Sequence, residues 1–242
     1  MSSGAGQPAP CVSVIGTGPA GEAAIRGLLA RGARVTVFDE QPRTGGNISR
    51  IRTTAPATPL EALAAESPEL ILRSGTRVLS VDSDGRVWFE GGDGAEQARF
   101  DAIVLACGAY DLHDPVPGLP ARGVTSAGAL QALGKGHGIM PRGRIIIAGS
   151  GPFLTVVAAG VVRAGGTVTH VIDRLRRSDY ARLAPWGLGI PGNSLEFMQK
   201  RRWLARAGVP IRYGAAVAAV GDGELITDAD ERIAFDHLGL TE

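Results

Sequence analysis

The chain has 242 residues, enough for one large or two small domains and at least one substantial core, which excludes a peptide hormone, a disulfide knot and a fibre. Hydrophobic residues make up 44% and charged residues 20%, the balance of a globular chain rather than a disordered one. With 25 Lys plus Arg against 24 Asp plus Glu, the net charge of +1 supplies no field for nucleic acid or an anionic membrane surface.

The first apolar run, Cys11-Val-Ser-Val-Ile15, predicts a buried strand ending in Gly16-Thr-Gly-Pro-Ala-Gly21. Ala23, Ala24, Leu28 and Leu29 then carry helical spacing up to Gly32. A second strand over 33–38 ends in Asp39-Glu40 and closes a β-α-β unit of about thirty residues. Residues 77–81 and 86–89 alternate around Ser83-Asp-Gly85, a hairpin signal, and 100–106 reads as one further strand. That strand exits through Cys107-Gly108-Ala109 into Asp114-Pro-Val-Pro-Gly-Leu-Pro120, which continues neither a helix nor a central strand.

Near residue 145 the pattern repeats. Arg144-Ile-Ile-Ile-Ala148 runs into Gly149-Ser-Gly-Pro152, an apolar helix to Ala164, a turn at Gly165-Gly166, a strand over 167–172 and Asp173. The first glycines stand 133 residues apart, and the closing acid follows its first glycine by 23 residues in one copy and 24 in the other. Beyond Asp173 come Arg174, Arg176 and Arg177, a helix over 194–207 and short strands near Ile211 and Glu224.

Gly16-x-Gly18-x-x-Gly21 has chemical meaning because it follows a strand, opens a helix and has an acid about twenty residues on. The first glycine permits the tight turn, the second lets backbone N–H groups approach a pyrophosphate, and the third lets helix and strand pack closely. The diphosphate would sit at the positive end of the helix dipole, with Asp39 or Glu40 accepting from ribose hydroxyls. In the second copy Gly149, Gly151 and Asp173 repeat the pattern, but Leu154 stands at the third glycine, so a module without ligand is an open alternative. Asp173 would accept a 2′-hydroxyl, whereas Arg174, Arg176 and Arg177 would attract a 2′-phosphate, leaving NAD against NADP undecided. The fold class is therefore α/β: two Rossmann-like three-layer dinucleotide-binding modules, with a small antiparallel β appendage in the first. The expected domains are 1–137 for the first module, 138–228 for the second, and 229–242 as the start of a strand returning to the first.

The set Gly16-Thr-Gly-Pro-Ala-Gly21, Asp39-Glu-Gln-Pro-Arg-Thr-Gly-Gly46, Ala106-Cys-Gly-Ala-Tyr-Asp111, Gly123-Val-Thr-Ser-Ala-Gly-Ala-Leu-Gln-Ala-Leu133 and Ala148-Gly-Ser-Gly-Pro152 resembles two-dinucleotide-domain FAD/NAD(P) oxidoreductases over nearly the whole chain. Within them it is similar to the FAD-containing subunits of opine oxidases, cyanide-forming glycine dehydrogenase and hydroxyproline or sarcosine dehydrogenase complexes. The resemblance implies that the first module holds FAD: Gly16, Gly18, Pro19, Ala20 and Gly21 at the diphosphate, Asp39 and Glu40 at the ribose, Arg43, Gly46 and Asn47 along the middle, and Ala106, Cys107 and Gly108 beside it. The second module would take NAD(P) or another adenine nucleotide at Gly149, Gly151 and Asp173. The implied role is an FAD-dependent oxidoreductase, or the electron-transfer subunit of an amino-acid or imino-acid (opine, glycine, proline-type) dehydrogenase complex. A second subunit would then carry the amine-oxidising site. An NAD(P)H-dependent flavin reductase-type enzyme and a non-catalytic nucleotide-binding or scaffold subunit are the alternatives. The chain ends where the family's return strand to the first domain begins, so an incomplete first domain is expected.

No side chain is singled out as acid or base, and the catalytic residues stay unassigned. Cys11 and Cys107 lie in different apolar runs with no Cys-x-x-Cys, so no metal site, no iron–sulfur cluster and no disulfide reductase chemistry are expected. Cys107 reads as a small buried thiol, His137 as a linker residue between glycines, and His113 beside Asp114 as an exposed loop residue rather than a general base. The low cysteine count fits a reducing cytoplasm. Residues 1–10 lack a basic and an apolar leader region, and the longest apolar stretch, 153–162, is too short to span a bilayer.

Overall fold

The computed structural model describes residues 8–47, 49, 56–91, 94–112, 115–187 and 191–241, with side chains outside 183–187 and 191–194. It divides into two compact units, Met1–Ala109 and Tyr110–Glu242.

In the first unit β1 (Cys11–Ile15), α1 (Pro19–Leu29) and β2 (Arg34–Asp39) follow one another as the apolar spacing requires. α2 (Pro59–Glu66) and β3 (Leu70–Ser74) come next, then β4 (Val78–Val81), β5 (Arg86–Gly91), β6 (Gly94–Arg99) and β7 (Ala102–Leu105). The order β3-β2-β1-β7 makes a parallel sheet, and β4-β5-β6 form an antiparallel one. Because strand side chains alternate, Val12, Val14, Val35 and Val37 pack with Ile25 of α1 and Leu60 of α2, while Ile15 and Phe38 pack on Val87 and Phe89 of β5. Full burial is worth roughly 1.5–3 kcal/mol for each such side chain. The Phe38 and Phe89 rings lie 4.8 Å apart and lock the antiparallel sheet to its face.

The second unit repeats the layering. β8 (Val124–Ser126), α3 (Ala127–Ala132) and a π-helical turn, Leu133–His137, lead to β9 (Arg144–Gly149), α4 (Phe153–Arg163) and β10 (Thr167–Asp173). After α5 (Arg177–Gly187) and α6 (Pro191–Arg206) come β11 (Ile211–Tyr213), β12 (Val217–Val220), β13 (Glu224–Thr227), β14 (Arg232–Ala234) and β15 (His237–Leu240). The parallel sheet runs β11-β10-β9-β15-β8, and β12-β13-β14 form an antiparallel one. Ile145 and Ile147 face Leu154, Val157 and Leu204 of the helices, whereas Ile146 and Ala148 face Leu225, Ile233 and Phe235.

Two expected boundaries are corrected. The division falls at Ala109/Tyr110 rather than 137/138, because β8 pairs with β15 and Ala127 and Leu130 of α3 join the core of α4. Residues 229–241 do not leave for the first unit. β15 inserts between β9 and β8, with Leu238 opposite Ile146 and Leu240 opposite Ala148, and both leucines are buried there. The antiparallel appendage expected in the first unit is present as β4–β6, and β12–β14 supply a second one in the other unit.

Candidate dinucleotide sites

Gly16 follows β1 at φ +102°, a value that disfavours any side chain, and a Cβ there would lie 2.2 Å from the Ala106 carbonyl oxygen. A Cβ on Gly21 would lie 2.0 Å from the Gly16 carbonyl oxygen, so α1 approaches the turn more closely than any side chain permits. Gly18 differs: a Cβ there would meet no atom within 4 Å. The middle glycine thus borders open space at the start of α1, where Gly18 as cap offers no side chain and Pro19 no N–H. The N–H groups of Ala20 and Gly21 sit in this first turn, an arrangement suited to an anion.

Thr17 joins the turn to the strand end. Its buried backbone N–H donates to Asp39 Oδ2 at 2.8 Å and its hydroxyl to the same oxygen, while the Gln41 N–H donates to Oδ1 at 2.8 Å. Asp39, 8% exposed, therefore latches the turn to β2 and keeps one further acceptor position, on Oδ1. Glu40 is exposed beside it. The Gly45 N–H donates to the Thr17 carbonyl at 3.2 Å, and a Cβ on Gly46 would come within 2.8 Å of Gly18 Cα. The double glycine consequently lies against the Gly16–Gly21 turn, with exposed Asn47 following it.

Arg43 has a different occupation from the one expected. Its Nη2 donates to Glu61 Oε2 at 2.9 Å and to the Pro56 carbonyl at 2.7 Å, and its Nε donates to Glu61 Oε1 at 3.0 Å. Glu61 also accepts from the Thr44 N–H at 3.1 Å and from the Thr58 N–H at 2.9 Å, closing a capping box on α2. The Arg43 guanidinium and these N–H groups hold the Glu61 carboxyl at about 2, well below its ordinary value. Arg43 thereby fixes the double-glycine loop to α2. Thr17, Thr58 and Glu61 escaped the sequence reading, although Thr58-Pro-Leu-Glu61 carries a capping-box signal.

Ala106, Cys107 and Gly108 follow β7, with Cys107 exposed rather than buried, and Cys107 Cα would lie 3.4 Å from a Cβ on Gly16. Cys11 opens β1. Since β1 and β7 are parallel with Val12 opposite Ala102 and Ile15 opposite Leu105, the two thiols lie at opposite ends of the sheet. His137 closes the π-helical turn and is not brought to either glycine turn by any observed contact; His113 and Asp114 lie outside the described residues.

In the second unit Gly149 adopts φ +150°, and a Cβ there would lie 1.7 Å from the Thr241 carbonyl oxygen. Gly151, at φ +89°, would carry a Cβ with nothing within 4 Å. Leu154 is wholly buried in the helical core, so the position filled by a glycine in α1 is here a packing residue. Leu154→Gly should destabilise the unit by about 3–5 kcal/mol, seen as a lower urea midpoint, rather than improve nucleotide binding. Asp173, 2% exposed, accepts from the Gly151 N–H at 3.1 Å and the Leu175 N–H at 3.0 Å through Oδ1, and from the Tyr180 hydroxyl at 2.6 Å through Oδ2. Burial, then this bond, pushes the Tyr180 phenol up and keeps it a donor. Tyr180 was also missed, because α5 shows no strong apolar periodicity.

Two glycine turns, each set between a parallel strand and a helix and each latched by the acid that ends the next strand, define a protein with two dinucleotide-binding-type units. The chain belongs to the pyridine nucleotide-disulphide oxidoreductase family, whose model matches residues 10–239. It is 31% identical to the hydrogen cyanide synthase protein HcnB of Pseudomonas aeruginosa, described as a subunit, over 88% of this chain and 49% of that protein. To an opine oxidase subunit of Rhizobium meliloti it is 30% identical, over 95% of this chain and 55% of that one. It thus spans about half the length of the curated relatives it matches. Among solved structures, the water-forming NADH oxidase from Lactobacillus brevis bound to NADH superposes with a TM-score of 0.64 at 18% identity, covering 96% of this chain and 53% of that one. The NAD-dependent persulfide reductase from A. fulgidus gives 0.65 at 17%, covering 95% and 45%. These two likenesses concern the fold. Among the described residues no helix is long and apolar enough to cross a membrane, and no group of three or more His, Cys, Asp or Glu is placed to hold a metal.

Proposed function

We propose that the chain is the FAD-holding part of a flavin-dependent oxidoreductase, acting as the electron-transfer subunit of a complex that oxidises an amino or imino acid. The observation that carries this reading is the open face at Gly18, flanked by the first-turn N–H groups of α1 and backed by Gly46. Gly16 and Gly21 keep the turn tight, and Pro19 and Ala20 start the helix whose dipole faces a diphosphate. Exposed Glu40 and the remaining acceptor position on Asp39 suit the ribose, while Gly46, Asn47 and residues 106–108 border the rest of the cofactor. A bound flavin would supply the redox chemistry, the passage of electrons between donor and acceptor. The protein's own residues bind it, orient it and exclude water.

The subunit role draws support from the two curated relatives, both described as subunits. Disulfide reduction is not part of the proposal, because the chain's two cysteines stand at opposite ends of one sheet. We expect the purified chain, mixed with excess FAD and desalted, to retain flavin bands near about 370 and 450 nm at roughly one cofactor per chain. A folded chain that loses all flavin would overturn the reading for this chain on its own.

The second unit, in this proposal, holds NAD(P) or another adenine nucleotide at the Gly149–Gly151 turn. A second reading, hydride transfer from NAD(P)H to the flavin, is favoured by the open position at Gly151. It predicts bleaching of the flavin band on anaerobic addition of the reduced nucleotide, whereas an electron-transfer subunit without that activity keeps its colour.

A further inference from the structure

We propose that the groove beside β11 in the second unit docks an acidic, extended segment of a partner protein, which adds as a strand to the open edge of β11. The inference concerns this unit alone and goes beyond the cofactor reading above, which it neither needs nor tests.

β11 is the outermost strand of its sheet, and among the described residues no strand pairs with its outer side. Its bonds to β10 fix which backbone groups point there. The Val171 N–H donates to the Pro210 carbonyl at 3.0 Å, and the Gly214 N–H donates to the Asp173 carbonyl at 2.8 Å. Alternate residues of a strand bond to opposite sides in parallel pairing, so Pro210, Arg212 and Gly214 face β10 while Ile211 and Tyr213 turn their N–H and C=O outward. These outward groups recur every second residue, about 6–7 Å apart, a spacing that another extended chain matches and a compact anion does not.

An open groove of about 550 Å³ lies along this edge, between β11 and α6. Its described lining holds Arg177, Arg201 and Arg202 and no carboxylate. None of the three is in an ion pair with a described residue. The Arg177 and Arg201 guanidinium carbons each lie 5.3 Å from the Tyr213 ring centroid, so an edge residue holds two cations in place before any acid arrives. On α6, Leu204 is buried in the core, whereas Leu195 and Met198 are 61% and 45% exposed. With exposed Arg202 and Ala205 they recur at helical spacing on one face, from which Met198, Arg202 and Ala205 line the groove. Methionine, tyrosine and arginine together are the composition of a protein interface rather than of a solvated face. Against a net charge of +1 for the whole chain, the three arginines are a local excess, too small for a nucleic-acid track and matched to a few glutamates or aspartates.

The test is fluorescence anisotropy with the full chain and a short labelled peptide in which threonine alternates with glutamate, leucine and glutamate. We expect saturable binding at about 10–100 μM, weakened at least about fivefold between about 50 and about 300 mM NaCl. The same peptide with lysine for glutamate should not bind. Arg202→Glu, at an exposed position, should weaken binding at least about tenfold with the thermal transition unchanged. Two further peptides carry backbone N-methyl groups along one edge or the other, and the one methylated on its paired edge should bind about tenfold more weakly. No binding of the glutamate peptide up to about 1 mM, equal binding of the lysine peptide, or indifference to Arg202→Glu would each overturn the proposal. Equal binding of the two methylated peptides would overturn it as well, by removing the strand pairing. Displacement of the peptide by NADPH would assign the groove to a nucleotide, and a concentration-dependent dimer lost in Arg202→Glu would assign it to a second copy. Either result would overturn docking of a partner.

Discussion

Gly21→Ala should abolish flavin retention and destabilise the first unit, whereas Gly18→Ala should abolish retention alone. A methyl group on Gly21 would fall 2.0 Å from the Gly16 carbonyl oxygen, which is backbone and cannot rotate away. α1 would have to slide off β1, and with it Ile25 would withdraw from the core it shares with Val12, Val14 and Val35. Overpacking of this kind costs about 1–3 kcal/mol or more when backbone must move. At Gly18 the same methyl meets no atom within 4 Å, so the folded chain should tolerate it. The methyl would instead fill the space through which backbone N–H groups meet a diphosphate. Thermal unfolding and flavin absorbance, measured together on both variants, separate the two outcomes. Retention of flavin by Gly18→Ala would show that the cofactor does not approach this turn.

Glu61→Gln should cost about 2–3 kcal/mol at neutral pH, and the loss should vanish in acid. Glu61 receives Arg43, the Thr44 N–H and the Thr58 N–H, and its side chain and that of Arg43 are 18% and 16% exposed, so solvent screens the pair only in part. The folded-state pKa of about 2 lies below the unfolded value of about 4.3. The stabilisation is therefore complete above the unfolded value and disappears as pH falls through about 2. Urea midpoints of the two proteins should differ most from pH 6 upward and converge toward pH 2. Because the loop that Glu61 anchors carries Gly45 and Gly46, which lie against Thr17 and Gly18, the variant should also bind flavin more weakly at pH 7. An unchanged midpoint would show that the capping box holds α2 without Arg43.

The glycine turns were legible because their spacing is a steric requirement: three glycines between a strand and a helix, with an acid one strand later, leave few alternatives. The repeat at Gly149 was legible for the same reason. What spacing does not encode is which partner reaches a polar atom first. Asp39 and Asp173 were both read as ribose acceptors, and spacing gave no sign that Thr17 and Gln41 would take three acceptor positions of the first, or Gly151, Leu175 and Tyr180 three of the second. Arg43 stands in a suggestive loop, but Glu61, eighteen residues on, takes its guanidinium. The misplaced boundary and tail have another cause. β8 and β15 are three and four residues long, too short for periodicity to assign, and their pairings join residues 114 apart (Val124 with Leu238) and 92 apart (Ile146 with Leu238).

The position of β15 also sets an order of events during synthesis. Among the described residues, the four strands of the first unit's parallel sheet are made once Leu105 has emerged, and each pairs with a neighbour already made. In the second unit β9 and β8 are synthesised early but are held apart by a strand that arrives last. Until residues 237–240 leave the ribosome, Ile146 and Ala148 lack their lateral neighbours Leu238 and Leu240, and two unpaired strand edges stay open to other chains. The nascent second unit therefore passes through an aggregation-prone interval timed by translation of β15 rather than by the chemistry of its glycine turn.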